Sequence, residues 1–374
     1  MPDKKAPPAV PKRRRREPLT DTNLLLTITI LIFFGMYGLS MYIWGGGFLN
    51  PQQFLNMFNN NAWLIIIACG LTVVMISGGI DISVGGVVAL VTMACVLYLD
   101  RPGGNVPGSI LLALGIGLAF GLVQGFLVSY LEIQPFIVTL AGMFFARGMI
   151  TILSPEPLKA QLDAFVVLKD MRIDLPWIGS YGKAGNFIPA RIDPGVLVAL
   201  AVVLAIFVVL RWTKVGRNFY AVGGNRQSAL MLGINVKRTR FYAHAICGLL
   251  SGIAGYVYLL HTGAGSPANA TFGEMKAIAS SIIGGTLLTG GVGNVIGTLF
   301  GVLTLLTIDD VVRISGLNDP WWQSITTGAM LCFFILLQSL VLTHRRKGGF
   351  KASLPAWLKI PKRLRVKSRR AKLP

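Results

Sequence analysis

Acids are scarce in this chain of 374 residues: 15 Asp and Glu stand against 35 Lys and Arg. Charged residues of both signs reach only 13%, where soluble domains carry roughly 25%. With 53% hydrophobic residues, that deficit excludes a soluble globular domain and makes this an integral membrane protein. The marks of a catalyst are missing too. No G-x-x-x-x-G-K-[ST] occurs, and Gly182-Lys183 is followed by Ala184, so this chain should not hydrolyse ATP itself. There is no nucleophile elbow, no H-E-x-x-H and no paired cysteine set. The reading is therefore a non-enzyme with no cofactor or metal of its own. Cys69, Cys95, Cys247 and Cys332 each lie inside an apolar run without metal-ligand spacing, and read as small buried hydrophobes. His244 and His261 sit in or at the end of one apolar run without partners in sequence, and read as structural.

The bases that are present are clustered. Seven fall in residues 1–20, seven in 211–240 and twelve in 344–374, with only Asp3 and Glu17 among them. Basic residues gathered in a few membrane-flanking segments are the positive-inside signature. They also favour anionic lipid of the inner leaflet. Nucleic acid is not expected as a partner, since no binding module or aromatic-interleaved basic groove is visible.

Apolar runs recur at 24–44, 63–76, 84–99, 109–131, 136–153, 195–212, 241–260, 275–288, 292–308 and 323–342. The expected fold is all-α and polytopic, with about ten transmembrane helices and both termini cytoplasmic. An even number of spans puts all three basic segments on one side. The basic flank before 24–44 has the look of a signal peptide, but no A-x-A-like site follows, so this run reads as an uncleaved first span. The domain reading is a disordered basic tail at 1–20, a transmembrane domain at 21–343 and a second basic tail at 344–374. Residues 45–61 read as a polar external loop, 309–320 as an acidic external loop, and 154–194 as an ordered external subdomain with little regular structure.

Two glycine-rich breaks organise the rest. Ser77-Gly78-Gly79-Ile80-Asp81-Ile82-Ser83-Val84-Gly85-Gly86 carries a single carboxylate, the sole acid between Asn23 and Asp100. Gly284-Gly285-Thr286-Leu287-Leu288-Thr289-Gly290-Gly291 repeats the idea without the acid. They read as corresponding elements of two halves. Irregular backbone at membrane depth requires burial in protein or a wet cavity. Asp81 has three roles open to it: contacting a transported solute, capping a helix or pairing with a cation. Arg147, inside the fifth run, either snorkels to the headgroups or faces protein. In the basic loop, residues 220–234 turn at Gly223-Gly224 and then offer a short amphipathic helix over about 226–232. That helix is either a docking knob for a soluble partner or an interfacial helix lying on lipid.

Gly78-Gly79-Ile80-Asp81-Ile82-Ser83-Val84-Gly85 resembles the G-G-I-D-L-S-V-G signature of membrane permease subunits in sugar ATP-binding-cassette importers, the ribose, xylose, arabinose and galactofuranose group. Three further stretches resemble the same family: Pro135-Phe136-Ile137-Val138-Thr139-Leu140, Tyr220-Ala221-Val222-Gly223-Gly224-Asn225 with Gly233-Ile234, and Gly284-Gly285-Thr286 with Leu288-Thr289-Gly290-Gly291-Val292-Gly293. The likeness covers about residues 62–342. Residues 140–148 and Gly297-Thr298-Leu299-Phe300-Gly301 look closest to a galactofuranose importer permease.

The resemblance implies a multi-pass protein of the bacterial inner membrane. Its partners would be an ATP-binding-cassette ATPase carrying ATP-Mg, a periplasmic sugar-binding protein, and a second permease, identical or related. Membrane lipid and a monosaccharide complete the set. It assigns Ala221, Gly223, Gly224, Asn225, Arg226, Ala229, Gly233 and Ile234 to the ATPase-coupling loop, and tilts that loop towards partner docking. Gly78, Gly79, Asp81, Ser83, Thr139, Arg147, Thr286 and Thr289 are the expected substrate-pathway residues. The long basic tails depart from the shorter ends usual in the family. The alternatives from other classes are an ion-coupled secondary carrier for a small polar solute and a passive pore. Few embedded ionisable groups disfavour the carrier.

Overall fold

Asparagine starts many of the helices. Asn50, Asn105, Asn225, Asn235 and Asn294 each accept, through the side-chain oxygen, a backbone N–H from the first turn they precede: those of Gln52, Gly108, Ser228, Arg238 and Ile296. Such caps satisfy donors that lipid cannot. Proline occupies the first turn after several such starts, where it has no N–H to lose.

The computed structural model describes residues 21–45, 48, 50–181, 187–317 and 319–346. The expected tails at 1–20 and from 347 onward lie outside the described residues. In chain order the elements are α1 (Asp21–Trp44), α2 (Pro51–Ile76), α3 (Val84–Leu99), α4 (Val106–Ser129), α5 (Pro135–Leu153), β1 (Leu158–Lys159) and α6 (Asp163–Asp170). Then come β2 (Ile173–Tyr181), β3 (Phe187–Ile192), α7 (Pro194–Trp212), α8 (Lys214–Gly224), α9 (Arg226–Met231) and α10 (Val236–Thr262). The chain continues through β4 (Ala264–Gly265), α11 (Gly273–Ile283) and α12 (Val295–Ile314) to α13 (Pro320–Arg346).

Every expected span has a helix, but they are unequal. Among the described residues, eight helices are long and apolar enough to cross a membrane, and α3 is a shorter apolar helix. The eleven residues of α11 reach only about 16 Å, half of a hydrocarbon core. The segment before α11 makes up the difference by descending beside α3. Gly265 lies against Met93, Asn269 Nδ2 donates to Thr92 Oγ1 at 3.1 Å, and Ala270 O lies beside Gly85. The fall from Met93 to Gly85 is about 12 Å.

α2 is the hub, with every residue from Leu64 to Ile76 buried. α10, α7, α11 and α12 surround it. Opposite, α4 and α10 approach backbone to backbone: a Cβ on Gly248 would stand 2.5 Å from Gly121 Cα. Small residues on both helices permit that approach, Gly117 and Gly121 on α4 and Gly248 and Gly252 on α10.

Several local expectations change. Residues 51–61 are not loop, because Asn50 and Pro51 cap and start α2 there; the helix then kinks at Asn61 (φ −128°, ψ 18°). Residues 309–314 are helical too, since α12 runs on to Ile314 with Asp309 inside the protein and held by Lys276 at 2.8 Å. The external segment carries more order than expected: α6 and the antiparallel pair β2–β3. In the basic loop, Gly223 and Gly224 close α8, and the chain turns at Asn225. Cys332 is exposed on α13, while Cys69, Cys95 and Cys247 are buried as expected. α13 has one side uncovered by protein, so a residue in an apolar run there meets no neighbour.

Candidate functional site: the convergence of two helix breaks and a basic hairpin

Both breaks end their helices in the same way. Gly78 N–H donates to Met75 O and Gly79 N–H to Val74 O; Gly285 N–H donates to Ile282 O and Thr286 N–H to Ser281 O. Gly78 and Gly285 take the left-handed conformation, with φ of +82° and +88°. This is the Schellman arrangement, and glycine accepts it without strain.

One carbonyl at the end of α2 is capped from the other break. Gly291 N–H donates to Ile76 O at 2.9 Å, joining the two irregular segments directly. The third member of the junction comes from α8. A Cβ on Gly290 would lie 2.9 Å from both Gly223 O and Gly78 Cα, and one on Gly291 would lie 2.7 Å from Gly224 N. A Cβ on Gly223 would collide with Ile76 O. Tyr220 Oη adds a hydrogen bond to Gly293 O at 2.8 Å. The Tyr-Ala-Val-Gly-Gly motif of the basic loop is therefore wedged between both breaks.

The hairpin beyond the wedge is built from the rest of that motif. Val222, Ala229 and Val236 form a small core, with Ala221 and Ile234 against it. Asn225 caps α9, and Gly233 and Ile234 close it by donating to Leu230 O and Ala229 O. Arg226 lies 3.4 Å from Glu132 in the α4–α5 turn, and Lys237 lies at the same distance. The two bases hold the Glu132 carboxyl below its ordinary range, the Lys237 hydrogen bond first and the Arg226 charge next. The motif residues are thus scaffold. The hairpin's exposed residues include Arg226, Gln227 and Ser228 together with Leu230, Met231 and Leu232, three apolar side chains turned outward on the basic face.

The expected pathway residues do not form one site. Asp81 is 1% exposed; its Oδ1 accepts from Ser83 N at 2.9 Å and from Ser83 Oγ at 2.7 Å, covering the start of α3. His244 Nδ1 stands 3.9 Å from Asp81 Oδ2, too far for a hydrogen bond. Ser83 Oγ also lies 3.2 Å from Gln124 Oε1. Gly79 borders the same region, since a Cβ there would be 3.6 Å from His244 Nε2. Thr139 donates to Pro135 O at 2.9 Å within its own helix. Thr286 is buried with no partner for Oγ1 among the described residues, and Thr289 is exposed.

Arg147 does not reach outward to headgroups. Its guanidinium donates to the carbonyls of Pro267, Asn269 and Ala270, and so ties down the descending segment before α11. Glu274, which sequence reading passed over, opens α11 beneath that segment. It is 7% exposed, its Oε2 has no hydrogen-bond partner among the described residues, and it abuts Gly85. Only its place between a loop and an apolar run could have drawn attention to it. Among the described residues, no group of three or more His, Cys, Asp or Glu could hold a metal ion.

The family model described as branched-chain amino acid transport system / permease component matches residues 53–335. The inner membrane ABC transporter permease protein YjfF of Escherichia coli (strain K12) is 37% identical over 319 residues, 84% of this chain and 91% of its own length. The fructose import permease protein FruG of Bifidobacterium longum (strain NCC 2705) is 33% identical over 323 residues, 85% of this chain and 91% of that protein. The xylose transport system permease protein XylH of Escherichia coli (strain K12) is 30% identical over 389 residues, 90% of this chain and 97% of that protein. No solved structure matches the chain.

Proposed function

This chain belongs to the ATP-binding-cassette permease family described as the permease component of branched-chain amino acid transport systems, and from that premise we propose that it forms the translocation pathway of an ATP-driven monosaccharide importer. It is a multi-pass protein of the inner membrane and a non-catalytic subunit. The sugar reading is supported by the fructose and xylose named for two relatives, and by the four ordered motifs. Galactofuranose is the first sugar to test, on the strength of residues 140–148 and 297–301.

One observation carries the ATP-driven reading: Gly223 and Gly224 are wedged between the two helix breaks. A protein that pushes on α9 moves a rigid hairpin whose far end touches both α2 and the segment after α11. Alternating access requires two arrangements whose populations a partner's nucleotide state shifts. The hairpin presents three exposed apolar side chains on a basic surface, and the family resemblance favours an ATPase groove over a lipid surface as their site. ATP-Mg resides on that partner. A periplasmic sugar-binding protein delivers solute, and a second permease, identical or related, closes the pathway.

Mild-detergent purification of the tagged chain from its native membrane, with identification of the co-purifying proteins, tests this. Recovery of an ATPase with a Walker motif is the expected result, and the number of permease species recovered tells a homodimer from a heterodimer. Recovery of the chain alone in several detergents would overturn the proposal in favour of the ion-coupled carrier.

A further inference from the structure

The outer half of the protein contains a feature that neither the motifs nor the hairpin uses. Between the first half of α2, the start of α11, the end of α12 and the start of α13 lies a cavity of about 550 Å³. That size lies within the range of small-molecule sites. Carboxamides line it from two helices: Gln53, Asn56 and Asn60 from α2 and Gln323 from α13. The Asn59-Asn60-Asn61 run explains how. Asn59 is spent inside the protein, donating to Arg191 O at 3.0 Å and accepting from Asp193 N at 3.0 Å. Asn61 donates to Met57 O at 3.2 Å across the kink. Asn60, between them, is exposed and lines the cavity.

The charged part of the lining is balanced. Lys276 Nζ meets Asp309 Oδ2 at 2.8 Å, and Arg313 Nη1 stands 4.0 Å from Asp310 Oδ1. Two bases and two acids leave no net charge to attract an ion. Asp309 is only 6% exposed, yet its Oδ1 has no hydrogen-bond partner among the described residues. A buried carboxylate oxygen left open is costly unless something donates to it.

We infer that this cavity is a solute subsite for a neutral polyhydroxylated molecule, with Asn60 and Gln323 as the groups that hold its hydroxyls. Carboxamides offer donors and acceptors side by side, as a vicinal diol does. A zwitterion would have to break the two internal ion pairs to use their charges; a sugar binds beside them intact. The inference rests on the monosaccharide reading, and it places the first contact in the outer half, remote from the Asp81 break.

The test uses the complete complex with its ATPase and binding protein in proteoliposomes, and labelled xylose, fructose, ribose and galactofuranose as probes, with L-leucine as the zwitterion. Asn60→Ala and Gln323→Ala should each raise the half-saturating concentration of the transported sugar about tenfold, the loss of one hydrogen bond. In a Cys332→Ser background, Asn60→Cys should react with an impermeant thiol reagent from outside, and the transported sugar should slow that reaction. Native half-saturation in both alanine variants, or labelling that the transported sugar does not slow, overturns the subsite alone. Slowing by leucine and by no sugar overturns its assignment to polyhydroxylated solutes. A native complex that accumulates none of the sugars brings down the monosaccharide reading and this subsite together.

Discussion

Two adjacent glycines, indistinguishable in the motif, differ sharply in what surrounds them. A Cβ on Gly223 collides with Ile76 O and comes within 2.7 Å of Gly291 N, whereas one on Gly224 meets nothing nearer than 4.0 Å. Gly223→Ala should therefore destabilise the protein by about 1–3 kcal/mol or more, an overpacking cost at rigid backbone, and Gly224→Ala by far less. Thermal unfolding of the two purified variants in one detergent measures the contrast; equal midpoints would refute the junction described above. Asp81 admits a similar comparison. Asp81→Ala removes the acceptor of both Ser83 bonds and should cost about 1–3 kcal/mol, while Asp81→Asn keeps an acceptor oxygen and should retain most of the assembled complex. If Asp81→Asn assembles normally and transport falls, the carboxylate also serves the solute; if both variants assemble and transport normally, neither role stands. The residue types at both places were legible in the sequence. Which of two glycines is crowded was not, because the crowding comes from Ile76 and Gly291, far away along the chain.

Among the elements, the α8–α9 hairpin depends on a single acid outside it. Glu132 is exposed, and it joins Arg226 at the start of α9 to Lys237 at the start of α10. Its folded-state pKa is depressed, so its contribution is complete above the ordinary carboxyl value of about 4.3 and disappears as pH falls through the lower folded value. The native protein and Glu132→Gln should thus differ in stability at neutral pH and converge in acid, which parallel unfolding curves over pH would reveal. Association with the ATPase should be flat from about pH 6 to 8, where this group stays ionised. Met231→Glu leaves the hairpin core of Val222, Ala229 and Val236 untouched and alters only the exposed tip. It should abolish co-purification of the ATPase without lowering the yield of permease. Arg226→Glu should weaken association as well, but by loosening the hairpin from Glu132. Retained co-purification in Met231→Glu would move docking off this tip.

At the scale of the whole molecule, the paired breaks and the hairpin pack together at the end of α2, and the polar cavity lies at the start of the same helix. Uptake by the assembled complex in ATP-loaded proteoliposomes should continue in the presence of a proton ionophore and cease without ATP; the reverse pattern would identify an ion-coupled carrier. Much of this architecture was readable before any coordinates. Long apolar runs and the glycine breaks determined a polytopic helical protein, because bilayer insertion and helix ends depend on residues that are neighbours in the chain. The Asn-Pro start of α2 was readable by the same logic and passed for loop because of its polarity. Only the tertiary structure decided that Gly291 caps Ile76, that Arg147 holds the segment before α11, that Glu274 is buried, and that Asp309 belongs to a cavity with Lys276. Each of these depends on which helices lie side by side, and in lipid that choice is made by close packing and hydrogen bonds between distant residues, for which hydropathy carries no signal.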